Sequence, residues 1–125
     1  MFTYAARVLS LGEQKGHLLV TSPLCLAIAF YFSSKKSGEI IAKKKINHLT
    51  DFIGITDINE SVVRKALQDK RVHNFEDGMQ YYSALAAHCE VIVTEDEDDF
   101  YFSELPVKNC EELILANNGN VADQK

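Results

Sequence analysis

Residues 74–100, NFEDGMQYYSALAAHCEVIVTEDEDDF, decide the fold. The stretch opens on Asn74 or Phe75 with Glu76 and Asp77 close behind, then runs through apolar and small residues to about Cys89. That is the pattern of a packed helix with acids in its first turn. The second half, EVIVT at 90–94, is a short apolar run rich in β-branched residues, as expected of a strand buried on both faces. Five acids follow at once: Glu95, Asp96, Glu97, Asp98 and Asp99. A helix that leads straight into a buried strand must run antiparallel to it. At ~1.5 Å per helical residue and ~3.3 Å per strand residue, the two are about equally long. Asp77 and the acids after Thr94 are therefore expected at one rim. That rim is the carboxyl edge of the sheet, where open α/β sheets bind ligands.

Working outward, HLLVT at 17–21 reads as a strand, and Ser22 followed by Pro23 starts a helix with a hydroxyl cap and a proline in the first turn. That helix reaches about Lys35 and is apolar nearly all round, which predicts deep packing. Ser37-Gly38 punctuates. A helix over 39–51 is expected to turn Ile40, Ile41, Ile46 and Leu49 inward and Lys43, Lys44 and Lys45 outward. FIGIT at 52–56 is a second strand, Asn59 caps a helix through Leu67, and 105–108 is a last, weaker strand. Upstream, residues 2–14 read as a helix with a stripe of Phe2, Ala5, Val8, Leu9 and Leu11, ended by Lys15-Gly16. Strands alternating with helices imply a mainly parallel, four-stranded sheet covered on both faces, an α/β fold in three layers. The expectation is a single domain over 1–116 with a polar tail at 117–125.

The 125 residues suit one domain, and 46% hydrophobic with 25% charged residues is an ordinary globular mix. The longest apolar stretch, 18–32, falls short of the ~20 residues that span a bilayer and is broken by Thr21, Ser22 and Pro23. No basic segment precedes an apolar one at the N-terminus, which argues against a signal peptide and a membrane role. Cys25, Cys89 and Cys110 are odd in number and far apart, without a C-x-x-C pair. The expectation is a cytoplasmic protein with reduced thiols. The net charge of −5 opposes bulk affinity for nucleic acid, but residues 35–71 hold nine Lys or Arg against five acids. That stretch carries +4 and the remainder −9. Such an asymmetry fits a metal enzyme acting on a polyanion, or simply two solvated helix faces.

Carboxylates gathered without bases repel one another unless a cation intervenes. Hard oxygen ligands suit Mg²⁺ or Mn²⁺, which one or two carboxylates plus waters can hold, and such an ion can activate water for attack on a phosphodiester. The competing reading needs no metal: Asp77 favours the helix dipole, and the acids after Thr94 lie in a solvated loop.

Residues 74–100 resemble the signature of PIN-domain nucleases: an acidic pair opening a helix, Gln, small residues, an apolar strand ending in Thr, and an Asp-Phe. Leu105-Pro106-Val107 resembles the family's final strand. LLVTSPLCLAIAFYFSSKK at 18–36 is similar to the second strand and next helix of a bacterial branch rich in toxin–antitoxin toxins. The resemblance implies a PIN-like α/β/α fold and a metal-dependent ribonuclease using Mg²⁺ or Mn²⁺. It places Asp77 and Asp99 at ligand positions and Asp96 where an Asn or Asp often assists. It also implies RNA as substrate, an antitoxin as partner and a homodimer. Two departures stand out. The family's first strand, with its Asp in a D-T-N-like pattern, has no counterpart before residues 2–14, and Ile28 stands where a second acid is usual. In the family that strand lies between those represented by 18–21 and 91–94. Without it, these strands pair directly or another chain covers their edges. The expectations are thus a nuclease weakened by two missing acids, an impaired module that binds RNA or protein, or a chain whose strand and Asp are encoded upstream of Met1.

Ser22 either touches substrate or a metal-bound water, or only caps its helix. Thr94 has the same two readings. Lys43 and Lys44 contact phosphates or merely form a solvated face. Tyr81 or Tyr82 stacks on a base or packs in the core. His17, His48, His73 and His88 are scattered, with His73 alone lying a few residues before Asp77.

Overall fold

A computed structural model describes residues 19–113 and 115. The helix expected at 2–14, the start of the HLLVT run and the polar tail lie outside these residues. The described elements are β1 (Val20–Thr21), α1 (Pro23–Ser37), α2 (Glu39–Leu49), β2 (Gly54–Ile55), α3 (Glu60–Gln68), α4 (Phe75–Ala86), β3 (Ile92–Val93), a 3-10 turn (Glu97–Phe100) and β4 (Val107–Lys108). The order follows the sequence expectation of strands alternating with helices.

Hydrogen bonding groups the four strands into two parallel pairs. Val20 lies opposite Gly54 and Thr21 opposite Ile55, while Ile92 lies opposite Val107 and Val93 opposite Lys108. Among the described residues β1 and β3 do not pair, so direct pairing is not how their edges are completed. In a parallel ladder each residue turns its N–H and C=O to the same side. Leu19 and Thr21 accept from Gly54 and Thr56, which leaves Val20 facing away from β2. Ile92 and Thr94 donate to Pro106 and Lys108, so Val93 faces away from β4.

The helix starts follow from side-chain caps. Ser22 accepts from the Cys25 N–H at 3.1 Å with Pro23 next, Asn59 accepts from Val62 at 3.0 Å, and Asn74 accepts from Asp77 at 3.0 Å. A further helical stretch begins at residue 110, where Asn109 and Glu112 cap each other reciprocally at 2.8 and 3.0 Å. The sequence reading missed this stretch, although Asn-x-x-Glu is its signal.

Two helix expectations are corrected. The apolar α1 has no buried residue, and Tyr31 and Phe32 are 52% and 65% exposed. Among the described residues its packing is chiefly against α2 and α4. Hydrophobicity tells what a helix could bury, whereas its neighbours decide what it does bury. In α2 the inward residue is Ala42, with Ile46 and Leu49 half-buried. Ile40 and Ile41 stand outward at 75% and 49% exposure, because the chain enters α2 from a sharp turn at Gly38 with φ 87°. The lysines of α2 are exposed as expected.

The core nearest the acidic rim is aromatic. Tyr81 of α4 packs against Phe100 and Phe102, with Val72, Leu85, Ile92, Leu105 and Val107 around them. Helices α3 and α4 cross closely at Gly78, where an added Cβ would sit 2.7 Å from Val72 Cγ1 and 3.2 Å from Ala66 Cβ. Among the described residues no helix is long and apolar enough to cross a membrane.

Candidate functional site

The rim is built from both ends of one helix–strand unit. The Asn74 cap starts α4, and Asp77 follows in its first turn, half-buried. At the other end β3 stops at Val93, and Thr94 Oγ1 accepts from the Asp96 N–H at 3.0 Å, which tightens the exit turn. The 3-10 turn then drives Phe100 into the core at 7% exposure while Asp99 beside it stays exposed. Phe100 is thus the anchor that sets where Asp99 sits.

The charges of Asp99 and Asp96 are near enough to act on Asp77. Burial is the first cause that raises the Asp77 pKa above its ordinary value, followed by the charges of Asp99, Glu76 and Asp96. Helix α4 and the 3-10 turn that follows β3 are in contact, the arrangement that the antiparallel argument expects. Glu95 to Asp99 line an open cleft of ≈ 420 Å³. Farther along, a hydrogen bond to Glu112 raises the Glu97 pKa, and the Asn109 backbone N–H and then Glu97 lower that of Glu112.

Among the described residues no three His, Cys, Asp or Glu side chains converge on one point as a finished metal cage. Magnesium, however, usually takes only one or two carboxylates and keeps several waters. Asp77 and Asp99 are carboxylates of the hard-oxygen type that such an ion takes.

The remaining sequence candidates are distributed unevenly. Thr94 belongs to the rim through its turn. Ser22 is 6% exposed and its hydroxyl is engaged in capping α1. Lys43 and Lys44 lie on α2, which packs mainly against α1, and form no ion pair among the described residues. Tyr81 is 1% exposed and accepts from the Glu104 N–H at 3.2 Å, so it is core and cannot receive a base. Tyr82 donates to Asp69 at 2.6 Å.

Sequence reasoning missed the clamp beside the rim. Arg71 grips Asp69 through Nε at 3.1 Å and Nη2 at 2.9 Å. Tyr101 donates its hydroxyl to the Arg71 carbonyl, and its ring stacks on His73 with centroids 5.6 Å apart and 25° between planes. These contacts tie the loop ahead of α4 to the end of the 3-10 turn, and so hold Asp77 and Asp99 in register. Asp69-x-Arg71 was visible as a local pair, but its tertiary partners were not.

No protein-family model matches the chain, and no curated protein matches it in sequence. Among solved structures, the chain is similar to one in the structure of VapBC-1 from nontypeable Haemophilus influenzae, with a TM-score of 0.65, 18% identity, and coverage of 89% of this chain and 87% of that one. At that identity the likeness shows a shared fold, the PIN-like α/β/α arrangement reached above from the strand and helix order.

Proposed function

We propose that the chain is a metal-dependent ribonuclease of PIN type, the toxin of a toxin–antitoxin pair, acting at the Asp77–Asp99 rim. The observation that carries this reading is the contact of α4, which holds Asp77 in its first turn, with the 3-10 turn that holds Asp99; burial first, and then the charge of Asp99, raise the Asp77 pKa. In this reading Asp77 and Asp99 hold Mg²⁺ or Mn²⁺ and Asp96 assists. The bound ion supplies charge that stabilises a phosphodiester under attack by water. Thr94 fixes the turn that aims Asp96, Phe100 fixes Asp99, and Asn74 fixes the turn that carries Asp77. Ser22, Lys43 and Lys44 are proposed to guide the RNA, with the lysines meeting its phosphates. The likeness to a chain of the VapBC-1 structure supports an antitoxin as protein partner, and a homodimer and a cytoplasmic setting belong to the same reading.

A second reading, a module of impaired catalysis that binds RNA or protein, is favoured by the donor count. Ile28 offers no carboxylate, and the described residues assemble no three-donor group. One experiment separates the two. Cleavage of single-stranded RNA in Mn²⁺ that is abolished by Asp99→Asn supports the nuclease. Thermal stabilisation by Mn²⁺ without cleavage supports the impaired module. Cleavage that Asp99→Asn leaves unchanged removes the assigned site.

A further inference from the structure

We infer that the exposed His73–Tyr101 stack is a platform for an unpaired nucleobase beside the rim. The inference deepens the nuclease reading and rests on it for the nature of the substrate. Four observations support it.

First, the two rings are already stacked, with 25° between their planes and centroids 5.6 Å apart, yet neither is buried: Tyr101 is 57% exposed and His73 is exposed. Aromatic rings left in water at this scale add little to the fold, and a base adds a third layer to such a pile. Second, the platform is held rigid. The Tyr101 hydroxyl donates to the Arg71 carbonyl, the Tyr101 ring meets Phe102 edge-on at 5.4 Å, and Arg71 is pinned by Asp69. A preset surface loses little freedom when a base lands on it. Third, the platform adjoins the acids in both chain directions, with Tyr101 two residues beyond Asp99 and His73 four residues before Asp77. A base stacked there lies beside the two chain segments that carry Asp77 and Asp99. Fourth, a cation stands on the loop that carries His73. Arg71 is engaged by Asp69 and Glu104, but Lys70 on the same loop is exposed and forms no ion pair among the described residues.

Duplex RNA hides its base faces, whereas single strands offer them, and each base stacked on an aromatic contributes ~1–3 kcal/mol. The test measures binding of a labelled single-stranded oligoribonucleotide to the full chain in EDTA, which separates binding from cleavage. An abasic oligomer of the same length and a duplex serve as comparisons. The expected result is that the abasic oligomer binds more weakly, and that His73→Ala and Tyr101→Ala each weaken single-strand binding by about fivefold or more. Tyr101→Phe, which keeps the ring, should stay close to wild type, and duplex binding should not respond to any of these changes. Because His73 donates no hydrogen bond among those described, His73→Ala keeps the test open if Tyr101→Ala fails to fold. Equal binding of the abasic and intact strands, or unchanged binding by both alanine variants, overturns the platform. Loss of binding in the alanine variants of a chain that never cleaves RNA leaves the platform standing and removes the nuclease reading instead.

Discussion

Thr56 and Ser83 place their hydroxyl oxygens 2.6 Å apart inside the molecule, with Ser83 donating onward to the Asp57 carbonyl at 2.7 Å. Ser83 has one proton, so the direction is settled: Thr56 donates to Ser83, and Ser83 donates to Asp57. The residues are 8% and 1% exposed. This relay joins the end of β2 to the middle of α4, and thereby ties the strand pair β1–β2 to the helix that carries Asp77. Ser83→Ala would leave the Thr56 hydroxyl buried without its acceptor and remove the donor to Asp57. A destabilisation of ~1–3 kcal/mol is expected, read as a lower urea midpoint with unchanged slope. A variant as stable as wild type would show that the relay holds nothing.

Gly78 is the second point where α4 is fixed, this time against α3. A Cβ there meets Val72 at 2.7 Å, too close for a branched side chain on a packed loop to absorb without moving. Gly78→Ala gains ~1 kcal/mol of helix propensity but overpacks the crossing by ~1–3 kcal/mol. The net expectation is a lower melting temperature. Val72→Ala in the same chain should recover part of the loss, because it removes the atom in the way. If Gly78→Ala melts higher than wild type by itself, α3 and α4 have room that the geometry denies.

The Asp69–Arg71 pair is expected to set a pH dependence of stability. The hydrogen bonds from Arg71, and then that from Tyr82, hold the Asp69 carboxyl well below the usual carboxylate range. A carboxyl whose pKa is depressed on folding stabilises the fold above its unfolded value, and the gain is lost as pH falls through the folded one. Arg71→Gln should therefore be less stable than wild type near neutrality, with the difference shrinking as the solution is acidified. A difference that stays constant across the acid range would mean that the guanidinium acts by packing alone.

Several of these relationships lie beyond what a sequence displays. Local signals were legible: Ser22-Pro23, Asn59 and Asn74 start helices as their side chains predict, and EVIVT is a strand core. The contact of α4 with the turn after β3 was also legible, because a helix and a strand of matched length bring those ends together. Tertiary choices were not. Which side of α1 finds a neighbour, and that Tyr81 enters the core while Tyr101 remains outside, depends on elements distant in the chain. Residue type says that an aromatic can stack, and the fold says on what.

Asp77 should titrate in the opposite sense to Asp69. Its pKa is raised by burial first and by Asp99, Glu76 and Asp96 after that, so the folded chain holds this proton more tightly than the unfolded one. The charged form is then a burden on the fold above the folded pKa, and the burden is lifted as pH drops below it. Asp77→Asn removes a charge that the site penalises. Near neutrality the variant is expected to have a higher urea midpoint than wild type, and its advantage should fade as acid neutralises the wild-type carboxyl. Mn²⁺ reverses the comparison in the metal-binding reading, since a dication turns the crowded charge from a cost into an attraction. Added Mn²⁺ should then raise the wild-type midpoint and leave that of Asp77→Asn nearly unmoved. An Asn variant that is less stable than wild type by the same margin at every pH would show that Asp77 serves the helix and not a site.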